Sequence, residues 1–297
     1  PEASCLVART IELNDGTRMP VLGLGTWKPS NLPRFSVQGA VEAAIAAGYR
    51  HIDTAYSYNN EVDIGKALCS KTKQGIIRRQ DMFIVSKVGA EENRRYSKPR
   101  VQHEEGNTSY LFSQLMQFLY GRKMGDELFP KKDGKMLTCD IDYVDVWRGM
   151  EALQASGKVK SIGVSNFSIL QLKRLLALCR VPPAVNQIEL HPYLVQTDMI
   201  EFCKSKNIAL TAYSPFGSPA RPPEFRGDTD PHKLLEDPVV ADIAKKHRHS
   251  PAQVPCAAGY CSKTYTYIPH IRAMTCTSGN SIYIWYGKHF DLIKIVL

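Results

Sequence analysis

Three residue types that can together move a proton occur at related places in the sequence. Asp53 closes the short apolar run YRHIDTA (residues 49–55), Tyr58 follows in the next loop, and Lys87 closes the apolar run DMFIVSK (81–87). A phenol has a pKa of about 10, and a nearby ammonium group lowers that pKa because it stabilises the phenolate. A buried carboxylate in turn holds the lysine and keeps it charged. The three residues are therefore candidates for a relay in which Tyr58 is a general acid.

Each of the three residue types, taken alone, has an ordinary structural explanation. An aspartate at the end of a strand is commonly a helix cap or a turn residue, a loop tyrosine commonly packs, and an isolated lysine is commonly solvated. The relay requires all three side chains to face one site. The surrounding elements must therefore bring two strand ends and the intervening loop to the same edge of a sheet.

The sequence alternates between segments typical of strands and segments typical of amphipathic helices. We predict strands at 20–27, 49–55, 81–87, 160–166, 183–190 and 208–215, and helices at 36–48, 60–75, 168–179 and 196–207. Short connections between alternating elements are typical of an α/β protein with a parallel sheet. The number of units, and the lack of a GxGxxG after the first strand, favour a (β/α)8 TIM barrel over an open Rossmann sheet. In such a barrel, Asp53, Tyr58 and Lys87 would meet at the mouth formed by the C-terminal strand ends.

Two stretches, 88–116 and 255–297, do not follow this alternation. The first is rich in charge, the second is rich in Tyr, Ile and Cys, and neither has a clear helical period. We interpret each as loop, alternative exon or shifted reading frame rather than as a further domain. Residues 1–297 are thus predicted to form a single barrel domain, and the completeness of its last βα unit stays open.

The composition limits the classes of partner. The chain is 43% hydrophobic and 23% charged, and its net charge of +9 fits either a solvated basic surface or a rim that attracts phosphates. The basic residues are dispersed and no nucleic-acid-binding motif is recognised, so we expect no nucleic acid partner. No apolar run approaches the ~18 residues of a membrane span, and we expect no membrane association.

The eight cysteines show no paired spacing and no CxxC, and no secretory signal is recognised. We therefore expect reduced thiols in a cytoplasmic protein. The spacing of Cys256, Cys261 and Cys276 is poor for zinc, and we predict no metal site.

Several segments in the right order resemble the aldo-keto reductase family. The resemblance covers roughly residues 8–88 and 117–254, and it is carried by GYRHIDTAYSYNNEVDIG (48–65), FIVSK (83–87), VKSIGVSNF (159–167), PAVNQIELHPYL (183–194) and TAYSPFGSP (211–219). It implies reduction of small-molecule aldehydes or ketones to alcohols by metal-free hydride transfer from NADPH. It also implies a cytoplasmic monomer.

The resemblance assigns roles by position. It implies that Tyr58 is the proton donor and that Asp53 and Lys87 support it. The other positions where the family touches cofactor or substrate are Thr26, Trp27, Ser165, Asn166, Gln187, Tyr213, Ser214, Phe216 and Ser218, with Asp53 also among them.

Four of these residues also make chemical sense as a site for a nicotinamide. Ser165, Asn166 and Gln187 end successive predicted strands and offer the donors and acceptors that a primary amide needs, and Tyr213 offers an aromatic face. A helix N-cap is the competing interpretation for the first two residues. Core packing is the competing interpretation for the other two.

The chain departs from the family pattern in two places. The family's catalytic histidine aligns with Gln117, whose amide can donate a hydrogen bond to a carbonyl oxygen but cannot titrate. In YIPHIRAMTC (267–276), His270 replaces a lysine and Ile271 replaces a serine that grip the NADPH 2′-phosphate, and Arg272 is out of register. Losing two charged contacts of about 1.5–3 kcal/mol each would weaken binding by a factor on the order of 10² to 10⁴.

Three interpretations follow from these departures. The chain is an active reductase with an unusual residue on its fourth strand. Alternatively, it is a weak or inactive barrel that binds nucleotide or a protein partner. In the third interpretation, the two atypical stretches prevent a stable closed barrel. We hypothesise a reductase scaffold with impaired NADPH binding and slow chemistry.

Overall fold

The computed structural model describes most of the barrel elements and the loops that join them. The described residues are 10–27, 37–88, 112–118, 131–132, 135–136, 141–217, 234–248, 250–252, 254, 265–268, 281–285 and 292–296.

A β-hairpin comes first. β1 (Thr10–Glu12) pairs antiparallel with β2 (Arg18–Pro20), and Gly16 adopts a φ of 80° in the turn between them. Leu13 and Met19 are buried against the first residues of later strands, including Phe83 and Val185. The hairpin therefore covers the N-terminal end of the sheet and seals the interior at that end.

Eight strands form one parallel sheet. They are β3 (Leu24–Gly25), β4 (His51–Asp53), β5 (Phe83–Val88), β6 (Phe112–Phe118), β9 (Val159–Ser165), β10 (Val185–Glu189), β11 (Ala209–Tyr213) and β12 (Tyr265–Ile268). Their spatial order is β12-β11-β10-β9-β6-β5-β4-β3. Consecutive strands are neighbours and parallel, as crossover helices require.

The sheet is rolled. Asp53 on β4 and Gln187 on β10 are four strands apart in the order, which would separate them by about 19 Å in a flat sheet. Their side chains are instead joined by a hydrogen bond of 2.9 Å. This bond spans the interior, so the strands curve into the barrel that the alternating pattern predicts.

Helices cover the outside of the barrel. They are α1 (Val37–Ala46), α2 (Glu61–Lys73), α3 (Tyr143–Ala155), α4 (Ile169–Leu178), α5 (Thr197–Ser205) and α6 (Pro238–His247). Short 3-10 turns lie at Tyr56–Tyr58, Arg79–Asp81 and Leu234–Glu236.

Local chemistry explains where several helices begin. Ser168 accepts a hydrogen bond from the Gln171 N–H, and the Gln171 side chain accepts one from the Ser168 N–H, which is a capping box for α4. Asp142 caps α3 through the N–H of Val144. Asp237 caps α6, whose first residue is a proline with no N–H to satisfy.

The core lies mainly between strands and helices. One cluster joins α1 and α2 to β3, β4 and β5 through residues such as Val41, Ile52 and Ile84. A second joins α3, α4 and α5 to β9, β10 and β11 around Trp147 and Val164. Because alternate residues of these strands face the helices, the residues between them face the barrel interior, where the polar side chains collect.

The predicted alternation is confirmed for most elements, with three differences. The segment 20–27 contains the end of β2 and the short β3 rather than one strand, because Pro20 belongs to the hairpin, where it pairs with Thr10. Helices α3 and α6 were not predicted. Residues 112–116, within a stretch read as irregular, belong to β6, which fills the place between β5 and β9.

The last βα unit is incomplete within the described residues. After β12, these residues contain an antiparallel pair, β13 (Ser281–Trp285) with β14 (Leu292–Val296), and no further helix. Two short strands, β7 (Lys131–Lys132) and β8 (Lys135–Met136), pair antiparallel between β6 and α3. None of the helices in the described parts of the chain has the length and apolar character needed to cross a membrane.

Candidate active site

A buried ion pair lies at the C-terminal ends of β4 and β5. Lys87 Nζ donates to Asp53 Oδ1 at 2.5 Å and to the Thr54 carbonyl oxygen at 2.9 Å, and both charged side chains are almost completely buried. Asp53 is in register with Val85, so Lys87 lies two residues further along the neighbouring strand and on the same face. The predicted meeting of this acid and this amine is therefore present in the fold.

The charge of the lysine is maintained by its surroundings. Burial lowers the pKa of Lys87, but the negative charge of Asp53, the nearby Tyr58 and hydrogen bonds to both outweigh it, and the net pKa is raised. Lys87 is thus an ammonium ion at neutral pH.

Tyr58 lies beside this ammonium. It closes the 3-10 turn that follows β4, and Asn59 takes a left-handed conformation with φ of 50° at the end of that turn. Lys87 Nζ is 5.2 Å from the centroid of the Tyr58 ring. The loop between β4 and α2 therefore delivers the phenol to the strand ends that carry the ion pair.

The net pKa of Tyr58 differs from the expected direction. Burial raises the pKa of this phenol, and the lowering by the charge of Lys87 and by a hydrogen bond with it is smaller. The expected effect of the ammonium is present, but desolvation of the phenolate outweighs it. Tyr58 consequently holds its proton at neutral pH.

The second oxygen of the carboxylate is held from across the barrel. Gln187 Nε2 donates to Asp53 Oδ2 at 2.9 Å, and Gln187 is itself buried. Each oxygen of this carboxylate therefore accepts a hydrogen bond from a different side of the site.

Three further predicted residues form a cluster next to Gln187. Ser165 Oγ donates to the Gln187 carbonyl oxygen at 3.2 Å, and the Asn166 N–H donates to the same oxygen at 2.9 Å. Asn166 has a φ of 61°, and its Oδ1 accepts a hydrogen bond of 3.0 Å from the Tyr213 hydroxyl. The cap of α4 is Ser168, so the N-cap interpretation does not account for Ser165 and Asn166.

A second polar network was missed by the sequence analysis. Asn60 Nδ2 donates to the Thr26 carbonyl oxygen at 2.8 Å, and its Oδ1 accepts a hydrogen bond of 2.8 Å from Thr54 Oγ1. Asn60 precedes α2 and reads as a helix cap, yet its side chain makes no cap hydrogen bond. The sequence offers no signal for this role, because an asparagine immediately before a helix is equally suited to cap it.

The remaining cofactor candidates have different surroundings. Thr26 is buried and its N–H donates to the Asp53 carbonyl oxygen at 3.0 Å, while the neighbouring Trp27 is partly exposed. Ser214 has a φ of 50° and its carbonyl oxygen accepts from the Gly217 N–H. Phe216 is buried in the core cluster of α1, α2 and the neighbouring strands, and its contact with the cofactor stays a prediction. Ser218 lies outside the described residues.

The register of β6 gives the place of Gln117. This residue pairs with Val88 and Val164, and Val164 packs in the core between the sheet and the helices. Lys87 is instead in register with Met116, one residue earlier on β6. The register thus places Gln117 beside Val88 and Val164, and its catalytic role stays a prediction.

The phosphate end of the expected cofactor site was predicted in the segment 267–276. Only β12 is described in that region, and His270, Ile271 and Arg272 lie outside the described residues. Within the parts of the chain that the structure describes, no group of three His, Cys, Asp or Glu side chains is arranged to hold a metal ion.

Comparison with known proteins gives a consistent result. The sequence model of the "Aldo/keto reductase family" matches residues 21–282. "Aldo-keto reductase family 1 member C1" of Macaca fuscata fuscata is 41% identical over 250 residues, which are 82% of this chain and 77% of the relative. "Aldo-keto reductase family 1 member A1-A" of Danio rerio is 41% identical over 253 residues, covering 82% of this chain and 75% of the relative.

A solved structure has the same fold. The aldose reductase of Schistosoma japonicum superposes with a TM-score of 0.76 and is 32% identical in sequence. The match covers 88% of this chain and 82% of the other. The prediction of a (β/α)8 barrel is therefore confirmed.

Proposed function

Because the chain belongs to the aldo/keto reductase family, we propose that it reduces aldehydes or ketones to alcohols with NADPH, and that Tyr58 is its general acid. Family membership supports NADPH-dependent carbonyl reduction in general. The assignment of the acid rests on the arrangement of this chain's own residues.

The observation that carries the proposal is the position of Lys87. Its ammonium group bridges the buried carboxylate of Asp53 and the phenol of Tyr58. The phenol keeps its proton at neutral pH, and the adjacent positive charge stabilises the phenolate that remains once the proton leaves. This arrangement is the one that a proton donor to a carbonyl oxygen needs.

The residues around the mouth fit the nicotinamide end of NADPH. The described hydrogen bonds of Asn166 and Gln187 use neither Asn166 Nδ2 nor Gln187 Oε1. One of these atoms is a donor and the other is an acceptor, as a primary carboxamide requires. Tyr213 is partly exposed and offers an aromatic face for the ring.

The chain's residues would act in a simple sequence. NADPH, when bound, supplies the hydride that reduces the carbonyl carbon. Tyr58 hydrogen-bonds the carbonyl oxygen and donates its hydroxyl proton to that oxygen as negative charge develops there. Lys87 stabilises the resulting phenolate, and Asp53 keeps Lys87 in place. Solvent then returns the proton to Tyr58.

A second candidate function is a weak or inactive barrel that binds nucleotide or a protein partner. It is favoured by Gln117 in the place of the family's histidine and by the replacements at His270 and Ile271. Losing the charged contacts of a lysine and an arginine with the phosphate would weaken NADPH binding by a factor on the order of 10² to 10⁴. We also propose that the chain acts as a monomer in the cytoplasm. A reducing compartment fits its free Cys69, Cys179 and Cys203.

The test uses two tyrosines of one turn. Tyr58→Phe should lower aldehyde-dependent NADPH oxidation by about 10²- to 10⁴-fold, because the proton donor is removed. Tyr56→Phe is the matched control, since Tyr56 starts the same turn and is exposed, and it should keep the starting rate. NADPH affinity, followed by quenching of tryptophan fluorescence, should be similar in both variants.

Two outcomes would change the assignment. Equal rates for Tyr58→Phe and the unmodified chain would refute the role of Tyr58. Fluorescence quenching by NADPH without measurable turnover in the unmodified chain would favour the second candidate.

A further inference from the structure

One buried carboxylate receives hydrogen bonds from two opposite parts of the barrel. Asp53 Oδ1 accepts from Lys87 at 2.5 Å, and Asp53 Oδ2 accepts from Gln187 at 2.9 Å. The resemblance to aldo-keto reductases assigns Gln187 to the cofactor alone. Its contact with Asp53 is a second role.

We propose that Gln187 is a positioning residue of the proton relay: it holds Asp53 so that Lys87 keeps one N–H directed at Tyr58. The inference rests on the proposed function, because it gives the relay a fourth member.

The number of N–H bonds of Lys87 carries the argument. An ammonium group has three donors. One is used by Asp53 Oδ1 and one by the Thr54 carbonyl oxygen, at 2.5 and 2.9 Å, which leaves one for the Tyr58 hydroxyl. A second hydrogen bond from the ammonium to the carboxylate would therefore use the N–H that is available to Tyr58.

Gln187 makes that second hydrogen bond from Lys87 unnecessary, because its amide already donates to Asp53 Oδ2. Asp53 is only 3% exposed, so an oxygen without its donor cannot turn to solvent. A buried acceptor that loses its partner costs about 1–3 kcal/mol in comparable proteins, which is enough to rotate the carboxylate towards the nearest remaining donor. In this site that donor is Lys87. Without the Gln187 amide, we expect the ammonium to chelate both oxygens and to withdraw from Tyr58.

The backbone of Gln187 is well placed for this role. Its carbonyl oxygen accepts hydrogen bonds from Ser165 Oγ and from the Asn166 N–H, and β10 pairs with both of its neighbouring strands. The side chain therefore starts from a rigid strand. The bond to Asp53 uses one of the two N–H groups of the amide, so Gln187 can hold Asp53 and still meet a carboxamide through Oε1.

The experiment follows the ionisation of Tyr58 in the chain without NADPH. The tyrosines are replaced biosynthetically by 3-fluorotyrosine, which ionises at lower pH than tyrosine, and fluorine NMR is recorded against pH. Tyr58→Phe identifies the signal of residue 58. The charged groups that act on this phenol are Lys87 from β5 and Asp53 from β4.

Gln187→Met is the informative variant, because methionine has a similar length and no N–H. The ionisation midpoint of residue 58 should rise by about one pH unit, the equivalent of one hydrogen bond of ordinary strength. Ser165→Ala is the matched control. The Ser165 hydroxyl contacts the backbone carbonyl oxygen of Gln187 and not its side chain, so this substitution should leave the ionisation midpoint of residue 58 unchanged.

Gln187→Asn is a second variant in case methionine prevents folding. Its amide is one carbon shorter and cannot reach Asp53, so the midpoint should rise in the same way. A midpoint within about 0.2 pH units of the unmodified chain in a folded Gln187 variant overturns the inference, since a full hydrogen bond would move it further. That result would not affect the proposed function. The proposed function would be refuted separately if Tyr58→Phe retained turnover.

Discussion

Replacing Lys87 by methionine should destabilise the protein strongly. Lys87 and Asp53 are 2% and 3% exposed, and their charged atoms are 2.5 Å apart. The attraction between them is on the order of 7 kcal/mol at an effective dielectric constant of about 20, and much of it offsets the cost of burying both ions. Removing the ammonium alone leaves a buried carboxylate whose remaining side-chain donor is Gln187. We expect a loss of about 3–5 kcal/mol in the free energy of unfolding.

The double variant Asp53→Asn/Lys87→Met separates this cause from lost packing. It removes both charges, keeps the side-chain volumes close to the original, and leaves no ion buried. It should therefore be more stable than Lys87→Met alone, although it carries one more substitution.

Urea unfolding at pH 7, followed by tryptophan fluorescence, gives the three free energies by linear extrapolation. The decisive quantity is the order of the unfolding midpoints: unmodified chain, then the double variant, then Lys87→Met. A Lys87→Met chain within about 1 kcal/mol of the original would show that Asp53 is not held as a buried ion. A double variant less stable than Lys87→Met would show that packing, not charge, dominates.

Two further substitutions test the packing and the caps. A Cβ on Gly23 would lie 2.9 Å from the ring of His51, whose Nδ1 contacts the Pro20 carbonyl oxygen. Gly23→Ala should therefore lower the free energy of unfolding, measured by urea titration, by about 1–3 kcal/mol. In the double variant with His51→Ala, the two losses of stability should be less than additive, and simple additivity would contradict the clash. Asp142→Ala removes the cap of α3 and should cost about 1 kcal/mol at pH 7. Hydrogen bonds from Arg174 lower the pKa of Asp142 to about 2, so the stability that this carboxylate contributes is present above about pH 4 and is lost as the pH falls towards 2. Unfolding midpoints of the two chains should converge over that range, and a constant difference would argue against the ion pair.

Much of the candidate site could be predicted from short segments. Asp53 and Lys87 each follow a buried apolar run, and parallel strands end at a common edge, so their proximity follows from the alternation of elements. Tyr58 follows Asp53 by five positions, so its place near the end of β4 also follows from the sequence. These predictions needed only the pattern of neighbouring residues and the general geometry of βα units.

Other features had no local signal. Gln187 and Asp53 are 134 positions apart, and their contact depends on how far the sheet is rolled and how its strands are staggered. The side chain of Asn60 would serve equally well as a helix cap or as a tie to Thr26, and only the packed loop selects the second. The neighbours of Gln117 also had no local signal, because the register of β6 against β9 decides that this residue lies beside Val164.

The sequence by itself determined most of the strands, most of the helices and the identity of the groups that can carry a proton. It did so because apolar periodicity, caps and side-chain chemistry are properties of residues close together in the chain. Tertiary structure alone decided the direction in which the pKa of Tyr58 is shifted, because burial raises this pKa more strongly than Lys87 lowers it. It also decided which donors reach Asp53, because that depends on the curvature and stagger of all the strands between β4 and β10.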